Sequence, residues 1–164
     1  MKEIIIIAAV AENNVIGKDG KIPWHIKEDF QHFKELTIGY PCIMGDKTYE
    51  SLPIKPLPGR ENIVLTFDKD YHPNDVIIKY SFEDAFEHCK NNEKIFIIGG
   101  ASIYKQGLKF ANRIEITRIH KSYDGDTYFP EVNFDEWEIE KKEDHEEFSF
   151  ITYIRKKENQ NDKP

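Results

Sequence analysis

The sequence predicts an α/β fold: a single domain built on a mixed, mostly parallel β-sheet, with an antiparallel C-terminal edge and helices on both faces. Three observations lead there. Short β-branched runs recur along the chain, segments with helical spacing separate them, and the C-terminal third turns to alternating or extended stretches without helices between. At 164 residues and 39% hydrophobic composition, the chain is one domain in size and has material for a real core.

Each element has its own signal. Four consecutive isoleucines open Ile4–Ala11, and β-branched side chains pack well on a pleated sheet. Pro41–Met44, Asn62–Thr66, Val76–Ile78 and Ile95–Ile98 are short, apolar and bounded by turn residues, as buried strands are. Helical spacing marks Ile26–Thr37, Ser81–Cys89 and Ala101–Gly107. Ser81 followed by Glu83 and Asp84 reads as a cap with acids in the first turn. Arg113–His120, Glu136–Glu143 and Phe148–Lys156 are expected to be antiparallel strands closing one edge. No linker, repeat or low-complexity tract divides residues 1–157, and 158–164 reads as a flexible polar tail.

Composition excludes several function classes. With 23 basic and 30 acidic residues, the net charge of −7 repels phosphate backbones, so no nucleic-acid partner is expected. The longest apolar run, Ile4–Ala11, falls far short of a membrane span, and Lys2 and Glu3 before it cancel where an export signal carries positive charge. A cytoplasmic, unprocessed chain without a membrane partner is the expectation. Cys42 and Cys89 are too few and scattered for a disulfide framework or a thiolate zinc site, and two reduced thiols are favoured over one bridge. The six histidines form no ligand cluster, and Asp124-Gly125-Asp126 lacks the remaining ligands of a calcium loop, so no metal is expected.

One carboxylate stands in an unusual place. On a helical wheel over Ile26–Thr37, Ile26, Phe30, Phe33 and Leu36 define one apolar face, and Asp29 lies inside it, roughly 60° from Ile26. Glu28, Gln31 and Glu35 point away. A carboxylate among phenylalanines is costly unless paired or useful, and desolvation should push its pKa upward. Asp29 is therefore either a site acid or a residue bordering the helix start after Pro23-Trp24.

Two phosphate cradles are also candidates. Ile95–Ile98 runs into Gly99-Gly100 and then the helical Ala101-Ser102-Ile103-Tyr104, while Ile43-Met44-Gly45 precedes Asp46-Lys47-Thr48 in the same outline. Strand, glycine, then helix start lets backbone N–H groups approach an anion, although a glycine at a strand end is more often a turn. The full G-x-G-x-x-G fingerprint is missing, which disfavours an ordinary Rossmann domain.

Taken in order, the motifs resemble dihydrofolate reductase over about residues 4–155. The most specific stretch is Val15-Ile16-Gly17-Lys18-Asp19-Gly20-Lys21-Ile22-Pro23-Trp24, followed by Asp29 and Phe33. Pro41-Cys42-Ile43-Met44-Gly45, Thr48, Pro56-Leu57-Pro58-Gly59-Arg60-Glu61-Asn62, Ile98-Gly99-Gly100, Tyr104, Ile116-Thr117 and Gly125-Asp126-Thr127-Tyr128-Phe129-Pro130 complete it.

The resemblance implies an enzyme that reduces 7,8-dihydrofolate to tetrahydrofolate, supporting one-carbon metabolism and thymidylate synthesis. Hydride would pass from NADPH to C6, with a proton added at N5. It implies that Asp29 hydrogen-bonds the pterin, Thr117 orients Asp29, and Trp24 helps hold the water that delivers the proton. Ile7, Ala9 and Phe33 would line the substrate pocket, with Arg60 clamping the glutamyl α-carboxylate. Cofactor contacts would come from Ala9, Ile16, Gly17, Gly45, Asp46, Lys47, Thr48, Thr66, Ile98, Gly99, Gly100, Ala101, Ser102, Ile103 and Tyr104, with a cis peptide at Gly99-Gly100. Residues 17–22 would form a mobile loop braced by Asp126, and the protein would act as a monomer.

Three positions depart from the pattern of the family, and all concern the cofactor. Asp46, Phe67 and Ser102 stand where basic residues are usual, leaving Lys47 and the Thr66 hydroxyl to meet a 2′-phosphate. NADPH is expected to work, with weaker discrimination against NADH than the family norm. Two rival readings remain. One is a reductase of the same fold acting on a pyrimidine of flavin biosynthesis, which has no need of Trp24, Asp29, Phe33 and Arg60. The other is a non-catalytic pterin- or nucleotide-binding protein.

Overall fold

Strand β1 (Glu3–Ala11) lies inside an eight-stranded sheet, flanked on one side by β6 (Lys94–Ile97) and on the other by β7 (Arg113–Ile119). The computed structural model describes residues 2–157, and the tail expected over 158–164 lies outside them. The other strands of this sheet are β3 (Cys42–Gly45), β4 (Asn62–Leu65), β5 (Ile77–Lys79), β9 (Trp137–Asp144) and β10 (Phe148–Arg155), in the order β5-β4-β3-β6-β1-β7-β10-β9.

Alternation along β1 explains why both faces carry helices. Ile6, Ala8 and Val10 enter a core with Phe82 and Ala85 of α3 (Phe82–His88) and with Ile103 and Tyr104 of α4 (Ala101–Gly107). Ile5 and Ile7 enter the opposite core, against Phe33 and Leu36 of α1 (Lys27–Thr37) and Tyr49 of α2 (Asp46–Ser51). A strand covered on both faces reads as an unbroken apolar run, as the isoleucines do. The expected cap is present, with Ser81 accepting a hydrogen bond from the Asp84 amide. Cys42 and Cys89 are free and buried, and burial pushes their thiols up to about 12 and about 11 respectively.

The antiparallel finish is narrower than expected. β7 pairs parallel with β1, from Ile5↔Arg113 to Ala11↔Ile119, because α4 carries the chain back to the starting end of the sheet before β7 begins. The antiparallel pairings are β7 with β10 and β10 with β9, so β10 alone runs against the other strands of this sheet. Phe30 also departs from the wheel reading. It is 44% exposed and lies against His25, with ring centroids 5.0 Å apart, while Phe33 and Leu36 pack on the core. An apolar stripe wider than the surface beneath it leaves its flank in solvent.

Beside the main sheet, β2 (Val15–Gly17) pairs antiparallel with β8 (Thr127–Tyr128). Gly125 permits this close approach, since a Cβ there would stand 2.7 Å from the Gly17 carbonyl oxygen. The loop after β2 is held by the acidic turn: the Asp19 amide donates to Asp126 at 3.0 Å, and Lys18 pairs with Asp124 at 2.7 Å.

Candidate active site

Asp29 of α1 meets the carboxyl half of β7 beside β1. Asp29 sits in the first turn of α1, where Ile26 caps the helix without a side-chain hydrogen bond. Its carboxylate accepts a 2.6 Å hydrogen bond from the hydroxyl of Thr117, a buried residue of β7 in register with Ala9 of β1. Burial raises the Asp29 pKa above the ordinary carboxylate range, and the Thr117 hydroxyl acts against that rise. The carboxylate is no mere helix border; it is a half-buried acid with one side-chain partner, Thr117.

The walls are apolar. Ile7, Phe33 and Ile98 belong to one core cluster, and buried Trp24 belongs to another that touches Ala9 and Tyr123. The Trp24 and Tyr123 ring centroids are 5.1 Å apart. The Tyr104 hydroxyl lies 2.8 Å from the Ile7 carbonyl oxygen and 3.0 Å from that of Ile98, joining β1 to β6 at the cleft floor. Burial first, and the Asp29 charge second, raise its pKa and keep it a neutral phenol.

The two glycine steps lie side by side. The Gly45 amide donates to the Gly99 carbonyl at 2.9 Å, and the Gly99-Gly100 peptide is cis. A Cβ on Gly45 would stand 3.2 Å from Ile103, and one on Gly100 would stand 3.4 Å from the Thr48 hydroxyl, so a side chain would crowd this crevice. α2 and α4 both begin without a side-chain cap, leaving the amides of their first turns to an outside acceptor. The backbone thus fits the phosphates of a dinucleotide. Ile16 packs against the cluster that holds Tyr104, and Gly17 ends β2. Ala101 is half-buried, whereas Lys47 and Ser102 are exposed.

Two predicted contacts are placed differently from the rest. The Thr66 hydroxyl donates to Asp46 at 2.8 Å and accepts from the Asp68 amide at 3.1 Å, so both its hydrogen-bonding roles are taken inside the protein. Arg60 lies just before β4, against Phe33 and Thr37 of α1. Its guanidinium donates to the Thr37 hydroxyl at 3.0 Å and the Pro58 carbonyl at 2.9 Å, and lies 5.9 Å from the Phe33 ring centre.

Sequence reasoning missed Thr37. Its hydroxyl also donates to the Phe33 carbonyl at 2.8 Å, a bond one helical turn back that a threonine near a helix end can make. Such a bond leaves no mark in the spacing of residues. Among the described residues no helix is long and apolar enough to cross a membrane, and no group of three His, Cys, Asp or Glu could hold a metal ion.

Residues 3–155 match the dihydrofolate reductase family profile. The chain is 44% identical over 162 residues to dihydrofolate reductase from Neisseria gonorrhoeae, covering 95% of this chain and 100% of that one. It is 46% identical over 135 residues to the enzyme of that name from Haemophilus influenzae, covering 82% and 83%. A solved structure of dihydrofolate reductase from Enterococcus faecalis, complexed with NADP(H) and RAB-propyl, superposes with a TM-score of 0.86 at 33% identity, over 94% of this chain and 97% of that one. With the half-buried carboxylate, the paired glycine steps and the braced loop in place, this chain belongs to the dihydrofolate reductase family.

Proposed function

We propose that the protein reduces 7,8-dihydrofolate to 5,6,7,8-tetrahydrofolate with NADPH, as a monomer in the cytoplasm. The observation that carries this reading is the Asp29 carboxylate, held by Thr117 at 2.6 Å, on the sheet edge where Tyr104 joins β1 to the paired glycine steps. A half-buried acid with a single side-chain donor has lone pairs left for a ligand, and the pterin offers N3–H and a 2-amino group in the matching fork. When bound, NADPH supplies the hydride for C6 of the pterin.

The chain's own residues do the rest. Asp29 orients the pterin and, by its negative field, favours the proton that N5 must acquire. Thr117 fixes the rotamer of Asp29, and Trp24 closes the site so that a water held near it can deliver that proton. Ile7, Ala9 and Phe33 flank the rings. Arg60, already oriented by Thr37 and Pro58, offers its planar fork to the α-carboxylate of the glutamyl tail. The loop after β2 excludes solvent during the transfer, anchored through Asp19 and Asp126.

The test is dihydrofolate-dependent oxidation of NADPH by the wild-type protein and by Asp29→Asn. Turnover in the wild type and a loss of at least a hundredfold in kcat/KM for the variant are expected. A folded wild type without turnover would remove the reductase reading, and full activity in the variant would remove the role given to Asp29.

A further inference from the structure

The order of residues along the carboxyl edge of the sheet fixes which part of a dinucleotide meets which side chain. Thr117 on β7 anchors Asp29, Ala9 on β1 is in register with it, Gly99 follows β6, Gly45 ends β3, and Thr66 follows β4. A dinucleotide whose reduced ring lies near Ala9 and Asp29, and whose phosphates cross the two glycine steps, therefore brings its adenosine half to the end of β4. Asp46, Thr66 and Phe67 stand there.

We propose that Asp46, fixed by Thr66, selects an adenosine ribose with a free 2′-hydroxyl, so that NADH serves as hydride donor nearly as well as NADPH. This rests on reading the site as a dinucleotide-dependent reductase. The Thr66 hydroxyl donates its hydrogen bond to Asp46 and accepts one from the Asp68 amide, which holds the carboxylate in one orientation and leaves the hydroxyl no donor to offer a phosphate. A fixed carboxylate accepts hydrogen bonds from ribose hydroxyls and repels a phosphate placed at the same distance.

The surroundings supply lysines but no guanidinium clamp, and Lys79, whose carbonyl accepts from the Thr66 amide at 3.1 Å, is a neighbouring point charge. Phe67 is 84% exposed and offers adenine a ring face rather than a charge. The exposed Ser102 is neutral, and its hydroxyl already accepts from Gln106 at 3.0 Å. The chain has four arginines in all, and each is engaged elsewhere. Arg60 bonds Thr37 and Pro58, and Arg113 bonds Glu3, Glu115 and Glu140. Arg118 bonds Ala11 and Asn14, and Arg155 bonds Ala111 and Leu108. Lys69 is drawn over the Tyr80 ring at 4.5 Å. Lys47, exposed beside Asp46, remains as a mobile point charge, a weaker match to a phosphate than a planar guanidinium.

The experiment compares kcat/KM for NADH and NADPH, with dihydrofolate at fixed ionic strength, in wild type and Asp46→Asn. It also measures binding of 5′-AMP and of adenosine 2′,5′-bisphosphate by calorimetry. In the wild type the two donors should agree within tenfold, and 5′-AMP should bind at least as tightly as the bisphosphate. Asp46→Asn, which keeps an acceptor for Thr66, should raise the NADPH-to-NADH ratio at least tenfold, chiefly through the KM for NADPH. A wild-type preference for NADPH above tenfold, or an unchanged ratio in the variant, would overturn the proposal. Turnover with neither donor would instead remove the reductase reading, and the two nucleotide affinities would then decide the ribose preference alone.

Discussion

Thr117 and Asp29 are 88 positions apart in the chain, yet the hydroxyl of one donates to the carboxylate of the other at 2.6 Å. The bond ties α1 to β7 and sets the acid in its cleft. Burial works against the ionised form of Asp29 and raises its pKa in the folded state. Over the interval between the unfolded and folded values, the native protein binds more protons, so stability falls as pH rises through it.

Asp29→Asn should accordingly trade activity for stability. At neutral pH the variant should melt a few degrees higher, on a scale of about 2–4 °C per kcal/mol for a domain of this size. That advantage should vanish below the ordinary carboxylate range, where Asp29 is protonated in both states. Thermal melts of both proteins across pH check the sign.

Thr117→Val keeps the volume and removes the donor. Hydrogen bonds to charged groups are worth about 1.5–3 kcal/mol, so kcat should fall by roughly ten- to a hundredfold. The Asp29 titration, followed by carboxyl carbon-13 NMR, should move to higher pH, because the group opposing its rise is gone. Thr117→Ser should restore both readings.

Arg60→Lys exchanges a rigid fork for a point charge and should raise the KM for dihydrofolate about tenfold with little change in kcat. Thr37→Val, which removes the acceptor of one Arg60 N–H, should raise it less. Steady-state kinetics with dihydrofolate and with a pterin lacking the glutamyl tail separates the effects, since neither substitution should affect the truncated substrate.

Gly125→Ala should push the acidic turn away from β2, because its Cβ would meet both Val15 and the Gly17 carbonyl. Overpacking of this kind costs about 1–3 kcal/mol. A lower Tm and a slower hydride step are expected, and a single-turnover measurement beside a melt distinguishes them.

Much of this architecture was legible in the residues. The apolar runs marked the principal strands within a residue or two, and Ala101–Gly107 is a helix with the predicted bounds. Asp29 was visible because a charge inside an apolar stripe breaks a period. What stayed hidden were relationships between distant parts of the chain. The parallel setting of β7 depends on which end the α4 crossover returns to, and strand periodicity is the same in either direction. β2 and β8 are too short to carry a pattern at all, with three and two residues. The Thr66–Asp46 bond was out of reach for the same reason: Thr66 read as a contact for a phosphate and Asp46 as an acid that repels one, and only their adjacency shows one occupying the other.

The position of β1 has a consequence for how the molecule is made. Its neighbours in the sheet are β6, beginning at Lys94, and β7, beginning at Arg113, so the first strand synthesised waits for partners from the later part of the chain. Pairings that distant fold slowly, because a long loop must close before any contact rewards it. During synthesis the four isoleucines of β1 are an unpaired hydrophobic edge, an aggregation hazard that ends only when β6 and β7 arrive. Thr117 lies on β7, so the acid site is completed in the same event that covers that edge. A folate or nucleotide that binds the finished cleft would then draw the chain out of its vulnerable state, acting on the yield of protein as well as on its turnover.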